Sequence, residues 1–154
     1  MNLQVLGFKG EISSVGDTLS QINSIKKDDE IIQLLNADAV AGRRHIEHGV
    51  NQAFLAFSRG ENLANDLSVE ICLRCSAQRQ ISKAFDILGL KEGKMNIAVV
   101  LIDCPDYFID ELSDMFVRND AVLEADKSIL LNLYDIPEKE LKKMHITDIL
   151  IDKT

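Results

Sequence analysis

Glu70-Ile-Cys-Leu-Arg-Cys-Ser-Ala-Gln-Arg-Gln-Ile-Ser-Lys-Ala-Phe-Asp-Ile-Leu-Gly89 is the stretch on which the fold of this chain turns. From Ser68 to Cys75 the residues alternate. Val69, Ile71, Leu73 and Cys75 fall on one side and Glu70, Cys72 and Arg74 on the other, the pattern of a half-buried strand. From about Arg79 the period lengthens. Ile81, Ala84, Phe85 and Leu88 form an apolar stripe of helical spacing, with Gly89 as its stop and Ser76 as a candidate N-cap. The expectation is a strand that turns directly into an amphipathic helix, with Arg74, Arg79 and Lys83 around the turn.

Working outward, Leu3, Val5 and Phe8 suggest a first strand ended by Gly10, and Asp17 to Ile25 a short helix. Glu30 to Leu35 reads as a second strand. Gly42 to Arg59 is the clearest helix: Ile46, Val50, Ala53, Phe54 and Phe57 mark one face and Gly60 is placed to end it. Gly49 inside it costs about 1 kcal/mol relative to alanine, which points to a close helix contact there. Met95 to Asp103 is the most hydrophobic strand and is expected to be central. After Pro105 the pattern is helical throughout. The expected architecture is a single α/β domain over residues 1–154: a mixed, open sheet of about four or five strands covered by helices, with a helical C-terminal third. Strand direction is left open.

The 154 residues carry 46% hydrophobic and 27% charged side chains, a globular composition. The formal net charge of -8 argues against indiscriminate coating of nucleic acid. It is unevenly spread. Residues 1–100 hold 11 basic against 12 acidic side chains, and residues 101–154 hold 6 against 13. The N-terminal two-thirds can therefore still present a basic patch. No secretory leader is visible, and the longest apolar run, Ile97 to Ile102, is far shorter than the roughly 20 residues of a membrane span. A cytoplasmic protein with three free thiols is the expectation.

Several motifs fall short of chemistry. Cys72-Leu-Arg-Cys75 has metal or redox spacing, but on a strand its thiols point to opposite faces, and no second pair completes a site. His45 and His48 lack a third ligand. Gly89-Leu-Lys-Glu-Gly-Lys94 is one residue short of a phosphate loop and leads into a strand. Asp103, Asp106 and Asp110 follow a strand end, yet acids also suit the first turns of a helix. No catalytic constellation and no metal or cofactor site assembles.

The cations are more telling. Arg79 and Lys83 are four apart and share a helix face, Arg74 lies off the core face, and a helix beginning near Ser76 would aim the amides of Ser76, Ala77 and Gln78 at the same corner. Such a corner is suited to an anion. The competing reading is ordinary surface pairing, Lys83 with Asp86 and the arginines with other acids.

The same stretch carries a family resemblance. Arg79-Gln80-Ile81, Ala84 and Gly89-Leu90, preceded by Ala37-Asp38, Gly42 and His45, resemble the kinase-binding regulatory subunit of the KEOPS (EKC) complex, the PRPK-binding protein family. The resemblance covers most of residues 30–103, and the tail from His145 to Lys153 departs from the family's usual ending. It implies a non-enzymatic subunit of the complex that installs threonylcarbamoyladenosine (t6A) on tRNA. Such a subunit binds and stimulates a small atypical kinase/ATPase, captures the 3′ CCA end of tRNA, and meets the transferase subunit indirectly.

On that basis Arg74, Arg79 and Lys83 are expected to hold phosphates, and Ser76, Gln78 and Gln80 to bond base edges. Ile81 and Phe85, the available apolar platforms, look committed to the core. The kinase contact is expected at Leu141, Met144, Ile146, Ile149 and Leu150, or else these close the domain's own core. The alternative function is a protein adaptor with no RNA contact. A third reading is a small transferase or hydrolase using Asp103, Cys104 and Asp106, for which Cys104 would need a depressed pKa.

Overall fold

The structure is a computed structural model and describes residues 2–124. Four strands, β1 (Leu3–Ile12), β2 (Ile31–Asn36), β3 (Gly93–Ile102) and β4 (Val117–Arg118), form one open sheet in the order β2-β3-β1-β4. Every pairing is antiparallel. β3 is central, as its apolar run predicts, and all six of its residues from Ile97 to Ile102 are buried. Register sets Val5 opposite Val100 and Leu35 opposite Ala98, so the period of two sends alternate residues to two separate cores.

On one face, Val5, Leu35, Ala98, Val100 and Ile102 pack against α2 (Gly42–Arg59), α3 (Leu67–Ser76) and α4 (Ile81–Leu88). On the other, Leu6, Phe8, Ile97, Val99 and Leu101 meet Ile22 of α1 (Val15–Ile25) and Phe108 and Leu112 of α5 (Tyr107–Met115). α2 keeps the expected bounds, buries Ile46, Val50 and Ala53, and ends at Gly60 in the left-handed region at φ 68°. Gly49 is the expected close approach. A methyl group there would collide with Sγ of Cys75, so α2 and α3 pack at a distance only glycine permits.

Three expectations are corrected. Residues 68–75 are helix, not strand: α3 is capped by Asp66, whose carboxylate accepts from the Ser68 amide at 2.8 Å. Ile71, Cys72, Leu73 and Cys75 are buried all round it, and so is the carboxylate of Glu70, so no polar face exists to reveal a 3.6 period. The region after Pro105 is not helical throughout, because Val117 and Arg118 pair with Lys9 and Phe8. β1 is also longer than expected, running through Gly10 to Ile12 opposite the start of β3. The helices expected beyond residue 124 lie outside the described residues.

Bonds from outside the strand ladders occupy backbone groups near both margins of the sheet. Beside β4, the Gly7 amide donates to Oδ1 of Asp120 at 2.9 Å, the Asn119 amide donates to the Gly7 carbonyl at 2.8 Å, and Arg43 donates to the Val5 carbonyl. Asp120 also accepts two bonds of 2.9 Å from Arg118, and this cation holds its carboxyl below the ordinary value. At β2, Gln33 receives the Leu34 amide and donates to the Ser68 carbonyl, and the Cys104 thiol reaches the Ile31 carbonyl.

Candidate functional site

The α3–α4 junction holds most of the expected contact residues, but its polarity differs from the expectation. α3 ends at Ser76, and Ala77 adopts the left-handed conformation at φ 55°. The Ala77 amide donates to the Arg74 carbonyl at 3.2 Å and the Gln78 amide to the Leu73 carbonyl at 3.1 Å. These amides therefore close a helix C-terminus, where the partial charge is negative. Ser76 is not an N-cap. It is fully buried, its hydroxyl donates to the Leu73 carbonyl at 3.1 Å, and it offers nothing to a base edge.

The helix start lies further on. Gln80 is the N-cap of α4 with no side-chain capping bond, and the first α4 amide bond is Ala84 to the Gln80 carbonyl at 3.1 Å. The amides of Ile81, Ser82 and Lys83 thus have no partner within the helix. No acid occupies this first turn, and Lys83 does. A cation at a helix N-terminus opposes the macrodipole by a few tenths of a kcal/mol, a conflict that an anion at the same place removes.

A hollow of about 280 Å³ opens at the end of α3, lined by Glu61, Leu63, Leu73, Arg74, Gln78 and Arg79 among others. It brings Arg74, Gln78 and Arg79 together; Gln80, the N-cap of α4, and Lys83, within α4, are exposed but do not line it. The two arginines are not equivalent. Arg74 donates from Nε to Oε2 of Glu70 at 2.8 Å, within a fully buried carboxylate whose other oxygen accepts the amides of Leu63 and Ala64, each at 2.8 Å. Its charge is spent on the fold. Arg79 and Lys83 are exposed and form no ion pair among the described residues, so the Lys83–Asp86 pair of the competing reading is not made. Ile81 is not committed to the core: it is 48% exposed, and Leu63 at the hollow is 51% exposed.

The remaining motifs settle into structure. Cys72 and Cys75 share α3, and burial pushes Cys72 up to about 12 and Cys75 up as well. Burial also raises Cys104, the opposite of what a nucleophile requires. His45 is buried, its Nδ1 accepts from the Ala41 amide at 3.0 Å, and burial lowers it to about 4. Asp103 sits at φ 56° and accepts from the Asn2 amide at 2.8 Å. No cluster of potential metal ligands occurs among the described residues, and no helix there is long and apolar enough to cross a membrane. Sequence reasoning missed Glu70 and Asp120 as organisers. The spacing Glu70, Arg74, Gln78 at four-residue intervals was the available helical signal.

Leu141, Met144, Ile146, Ile149 and Leu150 lie outside the described residues. The family model described as kinase binding protein CGI-121 matches residues 11–153. The regulatory protein Cgi121 of Methanocaldococcus jannaschii is 39% identical over 71 residues, covering 46% of this chain and 45% of that protein. The matched part thus spans about half the length of that relative. With the family model spanning nearly all of the sequence, the chain belongs to the CGI-121 family of kinase-binding proteins.

Proposed function

We propose that the chain is a non-catalytic, cytoplasmic subunit of a KEOPS-type complex for t6A modification of tRNA. It binds and stimulates the small kinase/ATPase subunit, grips the 3′ CCA end of tRNA, and reaches the threonylcarbamoyltransferase subunit only through its partners. The family match supports the kinase partner. The RNA contact rests on one observation: the uncapped start of α4, with Arg79 before it, Lys83 in its first turn and neither cation in an ion pair among the described residues. Helix amides and exposed cations together suit phosphates.

In this reading Arg79, Lys83 and the α4 amides hold the backbone, Gln78 and Gln80 meet base edges, and Arg74 lines the hollow as a neutralised pair. Leu63 and Ile81 offer the apolar surface on which an unstacked base can rest. The C-terminal Leu141, Met144, Ile146, Ile149 and Leu150 supply apolar anchors to the kinase.

The test is a filter-binding titration of tRNA with Arg79→Glu. Affinity is expected to fall at least about tenfold, with a shallower salt dependence, and tRNA trimmed of CCA should bind the unaltered protein as weakly. Unchanged affinity overturns the RNA contact. It leaves the adaptor reading, which the net charge of -8 and the paired state of Arg74 favour.

A further inference from the structure

The hollow at the end of α3 contains one residue that an anion site does not explain. Glu61 lines it beside Arg74, Gln78 and Arg79. It is exposed, and its carboxylate forms no ion pair among the described residues. Neither cation of the hollow engages that carboxylate. Arg74 is held by Glu70 and reaches the backbone carbonyl of Glu61 at 3.5 Å, and Arg79 forms no ion pair among the described residues. Opposite charges thus share one concave surface without neutralising each other. A carboxylate there repels phosphate, so a polyanion gripped only by its backbone would bind better without it.

The frame around Glu61 is fixed. Its amide donates to the Ala56 carbonyl at 2.8 Å, just past the Gly60 that ends α2. Two residues on, the Leu63 amide is tied to buried Glu70 at 2.8 Å. Leu63 and Leu73 give the lining an apolar part, and the half-buried Gln78 adds a side-chain amide. The hollow therefore combines an apolar wall, a group that only accepts, a group that both donates and accepts, and a cation. At about 280 Å³ it lies at the lower end of small-ligand sites, with room for one base rather than a run of them.

We propose that this hollow receives a single base of the RNA strand, and that Glu61 selects a base carrying an exocyclic amino group. A carboxylate accepts and cannot donate. It gains a bond from an amino group such as N4 of cytosine or N6 of adenine, and it is opposed by the carbonyl oxygen that uracil or hypoxanthine carries at the same place. Arg79 and the start of α4 then hold the neighbouring phosphate. This rests on the RNA contact proposed above and adds a specificity to it. Glu61 lowers the affinity for RNA at large and sharpens the choice among RNA ends.

The experiment is a filter-binding titration of the full chain, at physiological salt, with two otherwise identical tRNAs. One ends in CCA and the other in UUI, where I is inosine, so each change replaces an amino group by a carbonyl oxygen. The unaltered chain is expected to prefer CCA at least about fivefold. Glu61→Gln, whose amide both donates and accepts, is expected to bind the two ends within about twofold of each other, at an unchanged melting temperature. No preference in the unaltered chain, or a preference that Glu61→Gln retains, overturns the base-reading role while the RNA contact stands. A lowered melting temperature of Glu61→Gln also overturns it, because the carboxylate would then serve the fold. An unaltered chain that binds neither tRNA overturns the RNA contact and this proposal together.

Discussion

α3 and α4 are neighbours in sequence and lie on the same face of the sheet, yet they use their polar residues in opposite ways. α3 buries Glu70, Cys72 and Ser76, and ties Arg74 to Glu70. α4 buries only Ala84 and Leu88 and leaves Gln80, Ile81, Ser82 and Lys83 in solvent. The first helix spends its charge on holding a loop; the second leaves Lys83 exposed and in no ion pair among the described residues. Proximity in sequence, and even a shared hollow, therefore does not make Arg74 and Arg79 equivalent.

The largest effect should come from breaking the α3 side of this contrast. Glu70→Gln removes the buried carboxylate that accepts Leu63, Ala64 and Arg74. A loss of about 3 to 5 kcal/mol is expected, read as a lower urea midpoint at unchanged slope. Retention of the full midpoint would mean that the buried pair does not hold the loop.

A second effect sits where α2 meets α3. His45 titrates near 6.5 when unfolded and about 4 when folded, with burial as the main cause and a bond to the Cys75 backbone partly offsetting it. The unfolded chain binds the extra proton first. Stability is therefore complete above about pH 6.5 and is lost as pH falls towards 4, on the order of 3 kcal/mol in all. Urea melts between pH 7.5 and 4.5 should show this slope, and His45→Gln should flatten it.

The smallest effect belongs to α4. Arg79→Ala should change stability by no more than about 0.5 kcal/mol, because the side chain is exposed and forms no ion pair among the described residues. A larger loss in thermal melts would make Arg79 a structural residue like Arg74 and erase the distinction.

Legibility in the sequence followed the same divide. α2 and α4 are amphipathic, so Ile46, Val50 and Ala53, and Ala84 and Leu88, announced their faces. β3 was legible because a central strand is apolar on both sides. α3 was not, because a helix buried all round has no solvent stripe, and the buried Glu70 passed for the outward residue of an alternating strand. The error moved the helix start from Ser76 to Ile81 and reversed the dipole at the corner. The choice of Arg74, Arg79 and Lys83 as candidates does not depend on that assignment, since it rests on charge and on the four-residue spacing of Arg79 and Lys83. Asp120 went unnoticed because its partners Gly7 and Arg43 are distant in sequence.

The bonds that Asp120, Arg43 and Asn119 make to the backbone of β1, and those of Gln33 and Cys104 at β2, have a consequence for how the molecule behaves in a crowd. An open antiparallel sheet invites another strand to zip onto its flank, and that route leads to swapped dimers and fibrils. Here peptide groups at both flanks are already occupied by the chain's own side chains and by the backbone amide of Asn119. Self-association by strand addition is discouraged, and helices are left as the natural meeting ground for partners.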